Sequence, residues 1–361
     1  MTLHIFNPDH DIALASNLSN FTPPHAGRYL RFHLGFLPAL WAKADDLVLV
    51  EQRDVALQAF RKLNTAVTRM GMTHQPLSAC QFVEPRQLPA FHGIDDVEPW
   101  GWDLALRDRL KRYGVAESLL LSDGQLEEVR SDSHRRLASR LLPLLRVGDT
   151  VGASFECSDA DSILAFLHGY GRIVLKAPWS SSGRGIRFWD NSVALTDNQK
   201  GWMHNVLKTQ GSIMVEPYYN KVKDFGMEFE SRDGRVSYCG LSLFDTANGA
   251  YTGNILATET AKLHYLERYV PQSLLLSVIR LAEQHLTTFL GLHYTGPLGI
   301  DMMIVADESQ KGFLLHPCVE VNLRRTMGHV ALSLSQHCNP QADDEWQGVM
   351  RVANGQIILT H

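Results

Sequence analysis

Hydrophobic and polar positions in the first part of the chain predict strands and helices in alternation. Short apolar runs over Leu3–Phe6 and Asp46–Val50 indicate two buried strands. The stretch His25–Lys43 between them is predicted to be helical, and Val55–Met70 carries its apolar residues at helical spacing. This alternation predicts a small parallel sheet covered by helices, which is an α/β layer.

The middle of the chain predicts one long helix followed mainly by strands. Residues 122–146 have the pattern of a single helix, with Ser122 or Asp123 as its N-cap. Three β-type runs follow, at Arg172–Lys176, Ile186–Trp189 and Ile213–Glu216. We place the boundary between the first layer and this region near residue 118.

A pair of predicted strands near the C-terminus brings acidic and amide side chains together. One strand carries Asp301, a short charged turn follows, and the return strand carries Glu320. Because alternate residues of a strand share a face, Glu320, Asn322 and Arg324 are expected on one side. Two carboxylates and an amide oxygen on adjacent strands are hard oxygen ligands suited to Mg²⁺ that carries phosphate. The alternative is a solvated polar face on an amphipathic strand.

The connection between Lys176 and Ile186 is rich in small residues and reads Ala-Pro-Trp-Ser-Ser-Ser-Gly-Arg-Gly. Such a loop can fold over polyphosphate and donate main-chain N–H groups to its anionic oxygens. Lys176, at the end of the preceding strand, would add a point charge. A plain surface hairpin is the alternative, since glycine-rich loops alone are weak motifs.

Composition fits a globular enzyme and disfavours several other classes. The chain has 361 residues, of which 45% are hydrophobic and 20% charged, and a net charge of −5 argues against a broad nucleic-acid interface. Its five cysteines form no CxxC pair, which favours reduced thiols and a cytoplasmic location. We see no signal-peptide pattern and no apolar run of membrane-spanning length, so no membrane partner is expected.

Taken in order, these segments resemble the ATP-grasp superfamily over roughly residues 120 to 330. In that superfamily a strand lysine precedes a glycine-rich loop, a hinge strand ending in Glu follows, and an acidic residue and a Glu-x-Asn pair complete the set. The resemblance implies an ATP-grasp fold of two α+β subdomains behind a small parallel-sheet α/β domain. We expect the N-terminal domain over 1–118, the subdomain with the glycine-rich loop over 119–210, and the subdomain with the magnesium site and C-terminal tail over 211–361.

The resemblance also implies roles for the matching residues. Lys176 would contact the α- and β-phosphates of ATP, and Arg324 would face the transferred phosphoryl group. Mg²⁺ would be held by Asp301, Glu320 and Asn322. The remaining nucleotide contacts would be Ser181, Ser182, Gly183, Arg184 and Gly185 over the phosphates, Glu216 and the residues after it, including Tyr218, against adenine, and Asp224 near the ribose.

The chain departs from the superfamily at one position. A further lysine usually lies some forty residues before the loop lysine, whereas this region reads Ser-His-Arg-Arg and contains none. Arg135 or Arg136 can take its place, because a guanidinium binds phosphate with two parallel hydrogen bonds. The alternative is that both arginines are surface charges of the predicted helix.

A dense polar cluster follows the first predicted strand and includes Asn7, Asp9, His10 and Asp11. In open α/β sheets, ligands collect at the carboxyl ends of strands, so this cluster is our candidate for substrate binding. Its carboxylates can hold an amine, and His10 can accept a proton from it. The alternative is an N-cap, since Asn and Asp favour that position.

Two further residues are candidates for lining the acceptor pocket. Asn254 lies in a segment of small residues, Gly249–Asn254, for which a simple turn is an equal alternative. Arg325 follows Arg324, and it should face away from it if the strand stays regular.

The chemistry implied by the resemblance is that of an ATP- and Mg²⁺-dependent ligase. A small-molecule carboxylate would be activated as an acylphosphate, which a small-molecule amine would then displace. The alternatives are a kinase-like or carboxylating enzyme and a nucleotide-binding protein without turnover. ATP-grasp enzymes are often dimers, so the resemblance leaves a homodimer open.

Overall fold

The computed structural model describes residues 1–72, 80–180, 185–247, 250–307, 309, 311–338 and 346–361. Four residues of the predicted phosphate loop, Ser181, Ser182, Gly183 and Arg184, lie outside the described residues. In the described ranges, the strands form three sheets, of four, four and seven strands.

The first sheet is parallel and has the strand order β3-β2-β1-β4. Its elements are β1 (Thr2–Ile5), α1 (His10–Ser16), α2 (His25–Leu34), β2 (Leu47–Leu49), α3 (Arg53–Arg69), β3 (Gln81–Val83), β4 (Asp96–Pro99) and α4 (Leu104–Arg112). The predicted parallel α/β layer is therefore confirmed. Helix α2 ends earlier than predicted, and a short 3₁₀ helix with Pro38 in its first turn follows.

The second sheet is antiparallel and has the strand order β5-β8-β6-β7. The elements of this region are α5 (Asp123–Asp132), α6 (Arg136–Leu145), β5 (Phe155–Cys157), α7 (Ala160–Tyr170), β6 (Arg172–Lys176), β7 (Ile186–Asp190), α8 (Asp197–Gln210) and β8 (Ile213–Pro217). Strand β8 pairs with β5 and β6, although it follows the predicted boundary at 210.

The prediction of a single long helix over 122–146 is wrong, because the helical conformation is interrupted between α5 and α6. Ser122 caps α5 as one of the two predicted candidates, in a reciprocal capping box with Gln125. At the break, the ring Nδ1 of His134 accepts a hydrogen bond from the backbone N–H of Arg136. This local bond replaces a helical one and turns Arg135 toward the second sheet, where its N–H donates to Pro178 O.

The third sheet is the largest and has the strand order β13-β12-β9-β10-β11-β14-β15. Its region contains β9 (Lys221–Arg232), β10 (Arg235–Ala247), β11 (Ala250–Leu256), α9 (Glu259–Glu267), α10 (Gln272–Leu290), β12 (Gly296–Asp307), β13 (Gly312–Asn322), α11 (Met327–Ser335), β14 (Gly348–Ala353) and β15 (Gln356–Thr360). The predicted antiparallel return after Asp301 is confirmed, since β12 and β13 pair antiparallel.

The two faces of this sheet differ because side chains alternate along β9. Phe225, Met227 and Phe229 point into a buried core that also contains the apolar faces of α6 and α10. The intervening positions, including Asp224 and Glu228, therefore point to the opposite face. Burial of the apolar face fixes the strand register, which in turn collects the polar residues on one surface.

The C-terminal strands connect the third sheet to the first domain. Met350 of β14 is buried in the same cluster as Phe60 and Val67 of α3. Gly348 allows this approach, because a Cβ there would lie 2.3 Å from the Cε of Met70. The tail therefore packs over α3. Over the described ranges, no helix combines the length and apolarity needed to cross a membrane.

Candidate active site

Lys176 lies at the carboxyl end of β6 and forms a buried ion pair. Its Nζ is 2.7 Å from Oε2 of Glu216 on β8, and both side chains are less than 10% exposed. Nζ also donates a hydrogen bond of 3.0 Å to the carbonyl oxygen of Val319 on β13. Glu216 accepts a second hydrogen bond, of 3.2 Å, from Oγ of Ser154. Lys176 therefore links the second sheet to the third, directly beside Glu320.

Arg135 occupies the region where sequence analysis finds no lysine. It is buried, and its Nη2 lies 2.8 Å from Oε1 of Glu320. Its Nη1 donates to Oγ of Ser180 at 2.6 Å and to the carbonyl oxygen of Ala177, at the start of the small-residue loop. Arg136 points away and pairs with Glu156 near the surface. Of the two predicted candidates, the structure brings Arg135 to the loop and to Glu320.

The three predicted metal ligands lie together at the end of the β12–β13 hairpin. Asp301 is directly opposite Glu320 in the strand register, and Asn322 is opposite Gly299. The amide Nδ2 of Asn322 donates to Oδ2 of Asp301 at 3.3 Å. Gly299 is required here, because a Cβ would lie 2.5 Å from Oε2 of Glu228.

Electrostatics at this hairpin fit a divalent cation. Burial, together with the negative charge of Glu320, raises the pKa of Asp301 above its usual range. Among the described residues, no cationic side chain donates a hydrogen bond to Asp301. Two close carboxylates, one of them paired with Arg135, and an amide oxygen are the donor set that Mg²⁺ prefers. No group of three or more His, Cys, Asp and Glu suited to a metal occurs in the described part of the chain.

Sequence analysis missed Glu228, a further carboxyl group on the same face. It is 3% exposed, and a Cβ on Gly328 would lie 1.8 Å from its Oε1. Burial, together with the charge of Asp301, raises the pKa of Glu228 to about 8. The alternation of polar and apolar residues along β9, Asp-Phe-Gly-Met-Glu-Phe, is the signal that places it beside Asp301.

The contact between Glu228 and His329 agrees with a protonated Glu228. Nε2 of His329 lies 3.2 Å from the carbonyl oxygen of Phe229, which can only accept, so Nε2 carries the hydrogen. Nδ1 is then an acceptor, because burial lowers the pKa of His329 to about 3. Oε2 of Glu228 is 3.1 Å from that Nδ1 and makes no hydrogen bond, because Nδ1 already accepts the N–H of Thr326. An ionised Glu228 would set two lone pairs against each other there.

Arg324 joins the metal-ligand hairpin to the N-terminal domain. Its Nε and Nη2 donate to Oδ1 and Oδ2 of Asp11, both at 2.8 Å, and Nη2 also donates to Oδ1 of Asn322 at 2.9 Å. Burial disfavours the charge on Arg324, but Asp11 outweighs this effect and raises the pKa of the guanidinium. Burial likewise opposes ionisation of Asp11, yet Arg324 lowers the pKa of that carboxyl group.

Other members of the N-terminal cluster have different surroundings. Asn7 is a structural link, since its Nδ2 donates to Gly101 O at 2.8 Å and to Asp103 at 3.1 Å. The ring of His10 lies against Gly101, where a Cβ would be 2.7 Å from it. Asp9 precedes α1 but makes no side-chain capping bond, and it faces Arg31 at 3.9 Å.

Four other predicted site residues have partners outside the metal-ligand set. Tyr218 donates its N–H to Arg172 O, so it lies at the opposite end of β6 from Lys176, roughly 13 Å along the strand. Asp224 shares the face of Asp301 and accepts a hydrogen bond from Thr246 at 2.8 Å. The other two are Asn254, which is bonded to Ser242 and Tyr251 on β10 and β11, and Arg325, which lies over Trp41 and beside Glu98.

A single cleft joins the residues that do converge. Its walls come from the start of α1, the segment after β6 and the end of β13, and its lining includes His10, Asp11, Ser180, Glu320 and Asn322. Arg135 and Arg324 lie beside it through their bonds to Glu320 and Asp11. The arrangement combines two guanidinium groups with a carboxylate–amide set, which can bind a polyphosphate together with its metal ion.

Comparison with solved structures shows the fold of the chain. Biotin carboxylase from Campylobacter jejuni aligns with a TM-score of 0.50 and 12% identity over 99% of this chain and 73% of that one. Rhizobium etli pyruvate carboxylase aligns with a TM-score of 0.51 and 12% identity over 86% of this chain and 31% of that one. N5-carboxyaminoimidazole synthetase from Staphylococcus aureus, complexed with ADP, is also similar, with a TM-score of 0.49 and 13% identity over 97% and 81% of the two chains.

No family model matches the sequence, and no curated protein sequence matches it. The structural likeness nevertheless confirms the predicted ATP-grasp fold, with a parallel sheet at the N-terminus and antiparallel sheets behind it. At 12% identity the likeness concerns the fold.

Proposed function

We propose that this protein is an ATP- and Mg²⁺-dependent ligase that joins a small-molecule carboxylate to a small-molecule amine. The observation that carries the proposal is a cleft lined by Glu320 and Asn322, to which Arg135, Asp301 and Arg324 are bonded. Lys176 lies beside this set, because its Nζ donates a hydrogen bond to the carbonyl oxygen of Val319, the neighbour of Glu320. The division into 1–118, 119–210 and 211–361 and a cytoplasmic location remain part of the proposal.

Asp301, Glu320 and Asn322 would hold Mg²⁺, which supplies charge neutralisation between phosphate oxygens. Lys176 and Arg135 add positive charge at the start of the small-residue loop, where the phosphates of ATP would lie. Phosphoryl transfer depends mainly on such positioning and electrostatics. The adenine and ribose contacts assigned to Glu216, Tyr218 and Asp224 remain predictions.

The reaction proceeds in two displacements. A carboxylate oxygen of the acid attacks the γ-phosphorus of ATP, the bond to the β–γ bridging oxygen breaks, and ADP leaves. The neutral amine then attacks the carbonyl carbon of the acylphosphate, and inorganic phosphate leaves with the electron pair of the broken C–O bond. The nitrogen loses one proton, so acid, amine and ATP become amide, ADP and phosphate.

Trapping with hydroxylamine tests the first step without knowledge of the amine. Purified protein is incubated with Mg²⁺, ATP, hydroxylamine and a panel of carboxylic acids that includes bicarbonate. We expect ADP and the matching hydroxamate with at least one organic acid. Glu320→Gln should lower the rate roughly 100-fold or more. The matched control is Asp108→Asn, which removes a surface pair with Arg112 and should leave the rate unchanged.

Other outcomes separate the alternative functions. Phosphate release with bicarbonate alone would indicate a carboxylating enzyme. Binding of ATP without turnover of any acid would indicate a nucleotide-binding protein. If the wild-type protein bound no nucleotide, the proposed function would be wrong.

A further inference from the structure

The contacts of Arg324 leave little of its guanidinium for a ligand. A guanidinium has five N–H donors. Two bind Asp11, one binds Oδ1 of Asn322, and one reaches the carbonyl oxygen of Arg325 at 3.2 Å. One donor remains, whereas a phosphoryl group is recognised most strongly by two parallel N–H bonds. In the proposed reaction, a phosphoryl group that binds Arg324 therefore competes with the acceptors that already hold the guanidinium, and Asp11 holds two of its donors.

Asp11 is placed to act once it is released. Each of its oxygens accepts one bond from Arg324 and keeps further acceptor capacity. The side chain is 18% exposed and lines the cleft together with Glu320 and Asn322. It belongs to α1 of the N-terminal domain, so it faces the metal-ligand hairpin from the opposite wall.

The charges around Asp11 decide what it can bind. Arg135 is committed to Glu320 at 2.8 Å, and Lys176 to Glu216 at 2.7 Å. When Arg324 turns to phosphate, Asp11 becomes a partly buried carboxylate that has lost its cation. Such a group is costly unless another positive charge replaces the first.

We propose that Asp11 competes with the terminal phosphate of ATP for Arg324 and, once displaced, binds the ammonium form of the acceptor amine. The exchange couples the two substrates, since nucleotide binding creates the negative site that the amine needs. The amine nitrogen is then held against the same hairpin that positions the phosphate, and it becomes the neutral nucleophile when the ammonium gives one proton to the carboxylate of Asp11. This inference rests on the proposed function and adds to it a class of acceptor, a cationic primary amine, and an order of binding.

Nucleotide affinity tests the exchange without any turnover. Binding of a non-hydrolysable ATP analogue and of ADP, each with Mg²⁺, is measured by calorimetry for wild type, Asp11→Asn and the control Asp108→Asn. Removing the competing charge should tighten binding of the ATP analogue roughly 10-fold. Binding of ADP should change little, because ADP lacks the terminal phosphate. An equal change for both nucleotides, or weaker binding of the analogue, would overturn the exchange.

Acceptor preference tests the amine site. With an acid found by trapping, hydroxylamine is compared with primary amines that are protonated at neutral pH. Asp11→Asn should lower kcat/KM for the cationic amines roughly 10- to 100-fold. Hydroxylamine is largely neutral at that pH, so its reaction should stay within about 3-fold of wild type by the same energetic argument. Equal losses for both nucleophiles would contradict an amine-binding role and indicate that Asp11 only holds Arg324 in place.

Two further results keep this test separate from that of the proposed function. Failure of wild type to bind nucleotide or to form a hydroxamate removes the proposed function and this inference together. A normal wild type with an unselective Asp11→Asn removes this inference alone. If Asp11→Asn does not fold, Asp11→Ser, which is smaller and also neutral, carries the same comparisons.

Discussion

The Lys176–Glu216 pair shows how a single residue can serve both the fold and the proposed chemistry. Both charges are buried, and their partners are Val319 O and Ser154 Oγ. Desolvation makes such a pair a weak source of net stability, but loss of one partner leaves an uncompensated buried charge. Glu216 therefore holds the extended side chain of Lys176 in place, and removal of Glu216 would leave the lysine charge buried and unpaired.

We predict that Lys176→Met lowers the free energy of unfolding by about 3–5 kcal/mol, because Glu216 loses its cation. The double variant Lys176→Met/Glu216→Leu should recover much of this loss. Urea unfolding of the two single variants and the double variant, without nucleotide, gives the coupling energy directly. Additive losses would show that the two charges do not interact.

Glu228 gives a prediction about pH. Its pKa is raised to about 8 by burial, above the ordinary value of 4.5, so the folded protein binds a proton that the unfolded chain releases. Stability from this group is therefore complete below pH 4.5 and falls as the pH rises to about 8. Glu228→Gln should remove that fall, on the order of 4 kcal/mol.

The measurement is urea unfolding of wild type and Glu228→Gln between pH 5 and pH 8.5. Glu267→Gln, at an exposed position, is the control and should follow the wild-type curve. If Glu228→Gln loses stability with pH as steeply as wild type, the proton does not reside on Glu228.

At the scale of helices and strands, the sequence was most informative where burial fixes the register. Asp301 and Glu320 were predicted on adjacent strands of an antiparallel return, and the structure places them directly opposite each other. The break between α5 and α6 was not predicted, because it depends on a side-chain bond from His134 that competes with the helix. Glu228 was missed although its strand alternates regularly, since its role depends on glycines distant in sequence.

Among the described glycines, Gly328 at the junction of β9 with α11 leaves the least room for a Cβ. A Cβ on Gly328 would lie 1.8 Å from Oε1 of Glu228. Gly328→Ala should therefore push the first turn of α11 away from β9 and destabilise the protein by about 1–3 kcal/mol, as overpacking does. Thermal unfolding of Gly328→Ala measures this loss.

Gly328→Ala/Glu228→Ala is the matching double variant. It replaces the crowded carboxyl group with a methyl group. Alanine at 328 should therefore destabilise the protein less when Glu228 is also replaced than when Glu228 is present. Gly124→Ala, where a Cβ meets nothing within 4 Å, is the control. Equal effects of Ala at 124 and 328 would show that the contact does not constrain α11.

At the scale of the whole molecule, the cleft depends on contacts between parts far apart in the chain. Asp11 meets Arg324 across 313 positions, and Arg135 meets Glu320 across 185. Sequence alone singled out Asp11, Glu320 and Asn322, which line the cleft in the structure. It did not pair Asp11 with Arg324, because that contact depends on how the first sheet packs against the third.

Because the cleft is shared by three sheets, nucleotide binding should stabilise the entire protein. A ligand that binds only the native state adds about 2.7 kcal/mol at a hundredfold excess over its dissociation constant. We expect ATP with Mg²⁺ to raise the unfolding temperature of wild type as one cooperative transition. Glu320→Gln should lose most of the rise that depends on Mg²⁺, because it removes one oxygen charge of the metal set while its bond from Arg135 can persist. A Glu320→Gln protein that responds to Mg²⁺ as strongly as wild type would place the metal elsewhere and separate the carboxylate hairpin from nucleotide binding.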